Sequence, residues 1–161
     1  MRFTYGTLAL ILFVSGGATT QTPATLTVVV DGTSKTVAAS SLRQLPRDTA
    51  TMVFHDEPPV RYQGVSLAAV LRSVGVKTDS LRGPALATRL VVEAADGYRI
   101  VLALSDLDPS LGGRRILLAD RVDGKPLPAD EAPWRLIIPG DQRPARSARQ
   151  VVTIRVVAEP R

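Results

Sequence analysis

The amino-acid sequence predicts an α+β fold with a mixed or antiparallel β-sheet and a few short helices. Short β-branched runs recur along the chain, with Asp-Gly turn signals at Asp31, Asp96 and Asp123. Apolar residues take helical spacing only in brief segments. Strands and long helices do not alternate as they do in parallel βαβ folds, so we expect roughly seven or eight short strands with two to four short helices.

Length and composition fit one globular domain. The chain has 161 residues, of which 45% are hydrophobic and 22% are charged, and these values argue against disorder. The formal net charge of +5 is mild, and no basic patch with interleaved aromatic residues is present, so we exclude nucleic-acid binding. The absence of cysteine excludes disulfides, a thiolate nucleophile and cysteine-bound metals.

Residues 1–18 have the pattern of a secretory signal peptide. A positively charged start precedes the short apolar run 8–14 (LALILFV), and a small-residue cleavage site follows near Ala18. We therefore expect export to the periplasm or secretion, with 19–25 as a flexible lead-in and 26–161 as the folded domain. The apolar run is too short to span a bilayer comfortably, so no membrane span is expected after signal removal. An uncleaved anchor is the alternative.

The N-terminal half of the domain predicts a hairpin, two short helices and a strand. Apolar residues at helical spacing follow Ser66, which is a natural helix cap, and Gly75 is a natural helix stop. In order, we expect strands at 26–30 and 35–38, a helix capped by Ser40 or Ser41 that ends at Pro46, a strand at 51–54, and a helix from Ser66 to Gly75.

The C-terminal half predicts further strands joined by turns. Trp134 alternates with two apolar residues and is expected in the core, whereas Arg135 lies on the opposite face and could reach either a pocket or water. In order, we expect an irregular segment at 77–88, a hairpin of strands 90–94 and 98–103, a short turn with Asp106 and Asp108 as helix-start acids, strands beginning at Ile116 and Trp134, and a last strand that ends at Val157.

Three segments, taken in order, resemble the molybdopterin-binding domain of the sulfite oxidase superfamily. Segment 62–71 (YQGVSLAAVL) is similar to the family's aromatic-x-Gly-Val-Pro-Leu-x-x-Leu-Leu signature. Segment 96–99 (DGYR) is similar to a hairpin turn of its small exported members, and segment 116–157 to its C-terminal half. The resemblance implies a sulfite-oxidase-type molybdopterin-binding domain with a mixed β-sheet, and with it a molybdopterin cofactor and an oxidoreductase role.

The arginine-rich loop 143–149 (RPARSAR) is the candidate cofactor-binding segment. The resemblance implies that this loop presents backbone N–H groups and basic side chains to the phosphate of a pterin, for which guanidinium groups are well suited. Pro144 removes one backbone donor and departs from the family's more glycine-rich loop. The candidate binding residues are Arg143, Arg146, Ser147 and Arg149.

A purely structural interpretation of Arg149 stays open. If the last strand alternates regularly, Val152, Ile154 and Val156 share one face, and Arg149 then lies on the opposite, solvated face.

The enzymes of the superfamily hold molybdenum through a cysteine thiolate in the loop before segment 62–71. A thiolate is a soft, strongly donating ligand, and this chain has no cysteine. The corresponding loop contains His55, Asp56 and Glu57, which are candidates for facing the metal or for acid–base chemistry. The alternative is that all three are solvated loop residues. No metal ligand is assigned, and the usual molybdenum ligation is not expected.

Two functions follow from these observations. One is an exported, oxidoreductase-related protein that binds molybdopterin in an unconventional cysteine-free site. The other is a non-catalytic binding module of the same fold that recognises an anionic small molecule or a protein partner in the cell envelope. Convergence of Arg146, Arg149 and the His55 loop on one pocket would favour the first function, and an Arg149 that points to open solvent would favour the second.

Overall fold

The computed structural model describes residues 24–53 and 58–158. The predicted signal peptide lies outside these residues, as do His55, Asp56 and Glu57. The described strands are β1 (Thr25–Val30), β2 (Thr33–Ala38), β3 (Arg47–Met52), β4 (Val60–Ser66), β5 (Arg89–Ala94), β6 (Arg99–Ala103), β7 (Leu117–Val122), β8 (Lys125–Pro126), β9 (Arg135–Ile137) and β10 (Val151–Val157). The α-helices are α1 (Ala39–Arg43) and α2 (Leu67–Ser73), and short 3-10 helices span Gly83–Ala87, Leu104–Leu107 and Pro144–Arg146.

The first sheet has the order β2-β1-β10-β5-β6. Only β1 and β10 run parallel in it, and the other pairs are antiparallel, which confirms a mixed sheet. A register shift interrupts the pairing of β10 with β5 between Val151 and Thr153. Val151 and Ile154 are the fully buried residues of β10. Ile154 and Val156 share the core face, as expected, but Val152 does not join them, because the shift gives that face to Val151 instead.

The second sheet has the order β3-β4-β7-β8, with β9 paired to β7, and all its pairs are antiparallel. The strand expected at 51–54 begins earlier, at Arg47, and pairs with a full strand that starts at Val60. Polar residues obscure β3 in the sequence because β3 is an edge strand, where polar and charged side chains are tolerated. Gly64 lies inside β4, where a shift in the β4–β7 register forms a β-bulge.

One large apolar cluster joins both sheets to both α-helices. Leu118 of β7 enters this cluster, while its neighbours Leu117 and Ala119 face a second, smaller cluster with Tyr62 and Ile137. Side chains of a strand alternate between its two faces, so β7 is buried on both. This explains why the segment beginning at Ile116 reads as a continuous apolar run.

The two helices differ in how well the sequence predicted their starts. Ser66 caps α2, since its Oγ accepts a hydrogen bond from Ala69 N at 3.1 Å, and Gly75 follows the helix with φ of +91°. The predicted serine cap of α1 is wrong, because the N-cap is Ala38 and its side chain makes no capping bond. No described helix has the length and apolar composition that a membrane crossing requires.

Asp108 fixes the irregular segment 77–88 to the rest of the domain. Its buried carboxylate accepts hydrogen bonds from Leu81 N at 2.7 Å, and from the backbone N and hydroxyl of Ser110 at 2.8 and 2.7 Å. Asp106 lies in the first turn of its 3-10 helix, as predicted, whereas Asp108 follows that helix. Asp108 is therefore a buried anchor and not a helix-start acid.

We expect Asp108→Asn to lower Tm at neutral pH and to weaken the acid sensitivity of the fold. The backbone bond from Leu81, followed by the Ser110 hydroxyl bond, holds the pKa of Asp108 below its ordinary value. A carboxyl group with a lowered folded-state pKa stabilises above its unfolded pKa of about 3.9, and this contribution is lost as pH falls through the folded pKa. Circular-dichroism melts across this range test the prediction, with the exposed Asp79→Asn as control. Equal acid sensitivity in Asp108→Asn and the unmodified protein would contradict it.

Candidate functional site

A cleft beside the start of β10 brings part of the arginine-rich loop against the β5–β6 hairpin turn. Its volume is about 320 Å³, and we call it the Arg149 cleft. The residues that line it are Ala94, Asp96, Tyr98, Asp130, Ser147, Ala148, Arg149 and Gln150.

Arg149 lies at the edge of this cleft between two acidic residues. Its Nη1 is 3.3 Å from Asp130 Oδ2, and its Nε is 4.0 Å from Glu131 Oε1. The side chains of Arg149 and Asp130 are 57% and 69% exposed, and exposed ion pairs contribute at most about 1 kcal/mol. An anion that enters the cleft can therefore displace Asp130 from Arg149 at little cost.

Ser147 supplies a second polar group to the cleft. The residue is 5% exposed, and its Oγ has no hydrogen-bond partner within the described residues. A buried hydroxyl without a partner costs about 1–3 kcal/mol, so a ligand acceptor that reached it would be stabilised. The loop is held in place from the other side, because Tyr98 OH donates to the carbonyl of Ala145 at 2.7 Å.

The other two predicted binding residues lie outside the lining of the Arg149 cleft. Arg146 forms a two-point ion pair with Asp141, with distances of 2.9 and 2.5 Å. These hydrogen bonds raise the pKa of Arg146, and Arg114 also reaches the same carboxylate, at 3.3 Å. Arg143 is exposed on the loop. The structure thus brings Ser147 and Arg149 together and directs Arg146 to Asp141.

A buried ion pair adjoins the cleft and was not identified from the sequence. Arg135 is 4% exposed and donates to the carboxylate of Glu131 and, at 2.8 Å, to the hydroxyl of Tyr62. Its guanidinium carbon also lies 5.1 Å from the centre of the Tyr62 ring. Burial raises the pKa of Tyr62, so the phenol stays neutral beside the pair. Arg135 is therefore held in a buried ion pair and does not reach water.

Comparison with known proteins identifies the family. A family model described as the oxidoreductase molybdopterin binding domain matches residues 17–161. The chain belongs to this family. A chain in the crystal structure of the sulfane dehydrogenase SoxCD from Paracoccus pantotrophus is similar to it, with a TM-score of 0.63 and 18% identity. The match covers 83% of this chain and 38% of that one, and at this identity it shows the fold alone. No curated protein matches the chain.

The residues of this molybdopterin-binding-domain protein do not fit the molybdenum ligation of its superfamily. The sequence has no cysteine, and the described residues hold no group of three or more His, Cys, Asp or Glu side chains that could bind a metal. Among the described residues that line the cleft, Arg149 is the one cation, and it faces Asp130 with Asp96 also present. A doubly charged phosphate in this cleft would meet two carboxylates and one guanidinium. The cleft suits a smaller negative charge.

Proposed function

We propose that this chain is an exported, non-catalytic binding module of the molybdopterin-binding-domain family, and that the Arg149 cleft binds a small ligand with one anionic group. Export rests on the signal-peptide pattern of residues 1–18. The ligand site rests on one observation: the exposed Arg149 lines the same cleft as Ser147, whose buried hydroxyl has no hydrogen-bond partner among the described residues. The absence of a thiolate supports binding without molybdenum chemistry.

The contacts of the cleft suggest how such a ligand would be held. One oxygen of the anion would replace Asp130 at Arg149, because charge-assisted hydrogen bonds of guanidinium groups are strong and directional. A second acceptor atom of the ligand would accept a hydrogen bond from the Ser147 hydroxyl. The exposed ring of Tyr98 offers a flat surface to a planar part of the ligand. The carboxylates of Asp96 and Asp130 would favour a ligand that also carries N–H donors.

Family membership favours a second candidate, an oxidoreductase that carries molybdopterin in a cysteine-free site. Metal and pterin content separates the two candidate functions.

If the binding-module proposal is correct, neither molybdenum nor pterin will be near-stoichiometric after expression in a bacterium that makes the cofactor. Elemental analysis and pterin fluorescence after oxidation measure this in full-length protein from the periplasm and in a cytoplasmic version that starts at Thr19. A cysteine-containing member of the family serves as loading control. Near-stoichiometric metal and pterin would overturn the proposal.

We expect Arg149→Gln to weaken binding of pterin-6-carboxylate, a planar probe with N–H donors and one carboxylate, by roughly tenfold or more. Hydrogen bonds to charged groups are worth about 1.5–3 kcal/mol, which corresponds to such a factor. Asp130→Asn should strengthen binding, because it frees Arg149 from its acidic neighbour. Calorimetric titration measures both effects, and Arg143→Gln, in the same loop but outside the cleft, is the matched control. Equal affinity in Arg149→Gln and the unmodified protein would rule out this binding mode.

A further inference from the structure

A second concave surface lies where α1 meets the second sheet. It consists of two adjoining concavities of about 490 and 340 Å³ that share Arg43, Asp120 and Arg121. We call the whole surface the Arg43 groove, and it has no lining residue in common with the Arg149 cleft. The first concavity is completed by Arg47, Asp48, Thr49 and Gln63, and the second by Ala24, Ala39, Pro126, Leu127, Ala132, Pro133 and Trp134.

The β-bulge between β4 and β7 shapes the centre of the groove. Gln63 pairs with Arg121 and Gly64 pairs with Ala119, so Asp120 is the extra residue of the bulge. Bulges redirect side chains and are frequent beside binding sites. The carboxylate of Asp120 forms a two-point ion pair with Arg47, so these two charges balance each other within the groove.

Arg43 and Arg121 lie at the junction of the two concavities, and neither is paired with a carboxylate of the described residues. Within the part of the chain that the structure describes, Arg43 has no ion-pair partner. Arg121 donates to the carbonyl of Gly124 at 3.2 Å, and no described carboxylate pairs with it. The remaining acid of the groove, Asp48, is paired with Arg115. The junction therefore carries a net positive charge that suits an anionic group.

The far end of the groove is apolar and includes the one tryptophan side chain of the described residues. Proline, leucine and alanine side chains line it together with Trp134. Trp134 is 2% exposed, and its Nε1 has no hydrogen-bond partner among the described residues. A buried indole N–H usually finds an acceptor. Arg43 and Arg121 line the same 340 Å³ concavity as Trp134.

We propose that the Arg43 groove binds a small organic anion with an apolar body, such as a medium-chain carboxylate. The apolar body would lie against Pro126, Pro133 and Trp134, and the anionic head would lie between Arg43 and Arg121. The head group would also bring acceptor oxygens into the concavity lined by Trp134, whose buried indole N–H has no partner among the described residues. This site is independent of the Arg149 cleft and of the function proposed for it.

Trp134 is the only tryptophan of the chain, so its fluorescence reports directly on the groove. The full chain is titrated with sodium octanoate, with octan-1-ol as the neutral probe of equal length and with acetate as the head group alone. We expect a saturable change with octanoate and at least roughly tenfold weaker responses to the other two, because only octanoate combines the apolar body with the charge.

Substitutions assign the binding to the groove. Arg43→Gln should weaken octanoate binding roughly tenfold, since it removes a charge-assisted hydrogen bond, and Arg43→Lys should retain part of the affinity. Arg82→Gln, a change of an exposed arginine outside the groove, should bind like the unmodified protein. Melting curves check that the Arg43 variants are folded. Equal responses to octanoate and octan-1-ol, unchanged binding by Arg43→Gln, loss of binding in Arg149→Gln only, or no saturable response would each overturn the proposal.

Discussion

We expect Gly64→Ala to destabilise the fold by at least about 3 kcal/mol, the upper end of the usual cost of overpacking. A Cβ at this position would lie 2.2 Å from the carbonyl oxygen of Leu118 and 2.5 Å from the Cα of Ala119. Both atoms belong to the backbone of β7, so no side chain can rotate away to make room. Relief requires β4 and β7 to separate at the bulge, where both strands contribute to the core.

Denaturant unfolding measures this loss, and a melting curve should show a fall of roughly 6–12 °C in Tm for a chain of this size. Gly140→Ala is the matched control: Gly140 has φ of +86°, but nothing lies within 4 Å of the place that a Cβ would take there. Gly140→Ala should lower the stability by about 1–2 kcal/mol, which is the cost of a left-handed backbone at a residue with a Cβ. Equal losses in the two variants would mean that the close approach of the strands at Gly64 is not the cause.

Local signals in the sequence predicted the elements that local interactions determine. The Asp-Gly turn of the first hairpin and the Ser66 cap of α2 depend on residues a few positions apart, and both predictions are confirmed. The position of β10 depends on distant pairing, since it lies parallel to β1 at the opposite end of the chain. The sequence analysis did not predict this pairing, because no periodicity in β10 identifies its partner.

The candidate site was predictable as a segment but not as a set of side chains. The resemblance pointed to the arginine-rich loop, and the structure places Ser147 and Arg149 of that loop in a cleft. It did not predict that Arg146 pairs with Asp141, because the reach of one loop residue to another depends on the turn between them. For the same reason the spacing of Glu131 and Arg135 carried no signal, since an i,i+4 pair is recognisable on a helix and not in a loop.

We expect Arg135→Met to lose about 3–5 kcal/mol of stability, the usual cost of removing one partner of a buried ion pair. Arg135 and Glu131 are 4% and 8% exposed. Without the guanidinium group, the buried carboxylate of Glu131 would keep only the exposed side chain of Arg149, 4.0 Å away, as a balancing charge. An exposed ion pair serves as the comparison, because the side chain of Arg115, which pairs with Asp48, is 69% exposed. Arg115→Met should therefore lower the stability by no more than about 1 kcal/mol.

The double variant Arg135→Met with Glu131→Gln decides whether the loss comes from the pair. It should be more stable than Arg135→Met alone, because the unpaired charge is gone as well. Strictly additive losses in denaturant unfolding would show that the two residues act independently, which would contradict the buried pair.

Glu131→Gln also removes a carboxylate 4.0 Å from Arg149, so in a folded variant it should strengthen binding of pterin-6-carboxylate. A purely structural role for Glu131 would leave that affinity unchanged, and the two measurements together therefore separate stabilisation of the domain from control of the charge at the Arg149 cleft.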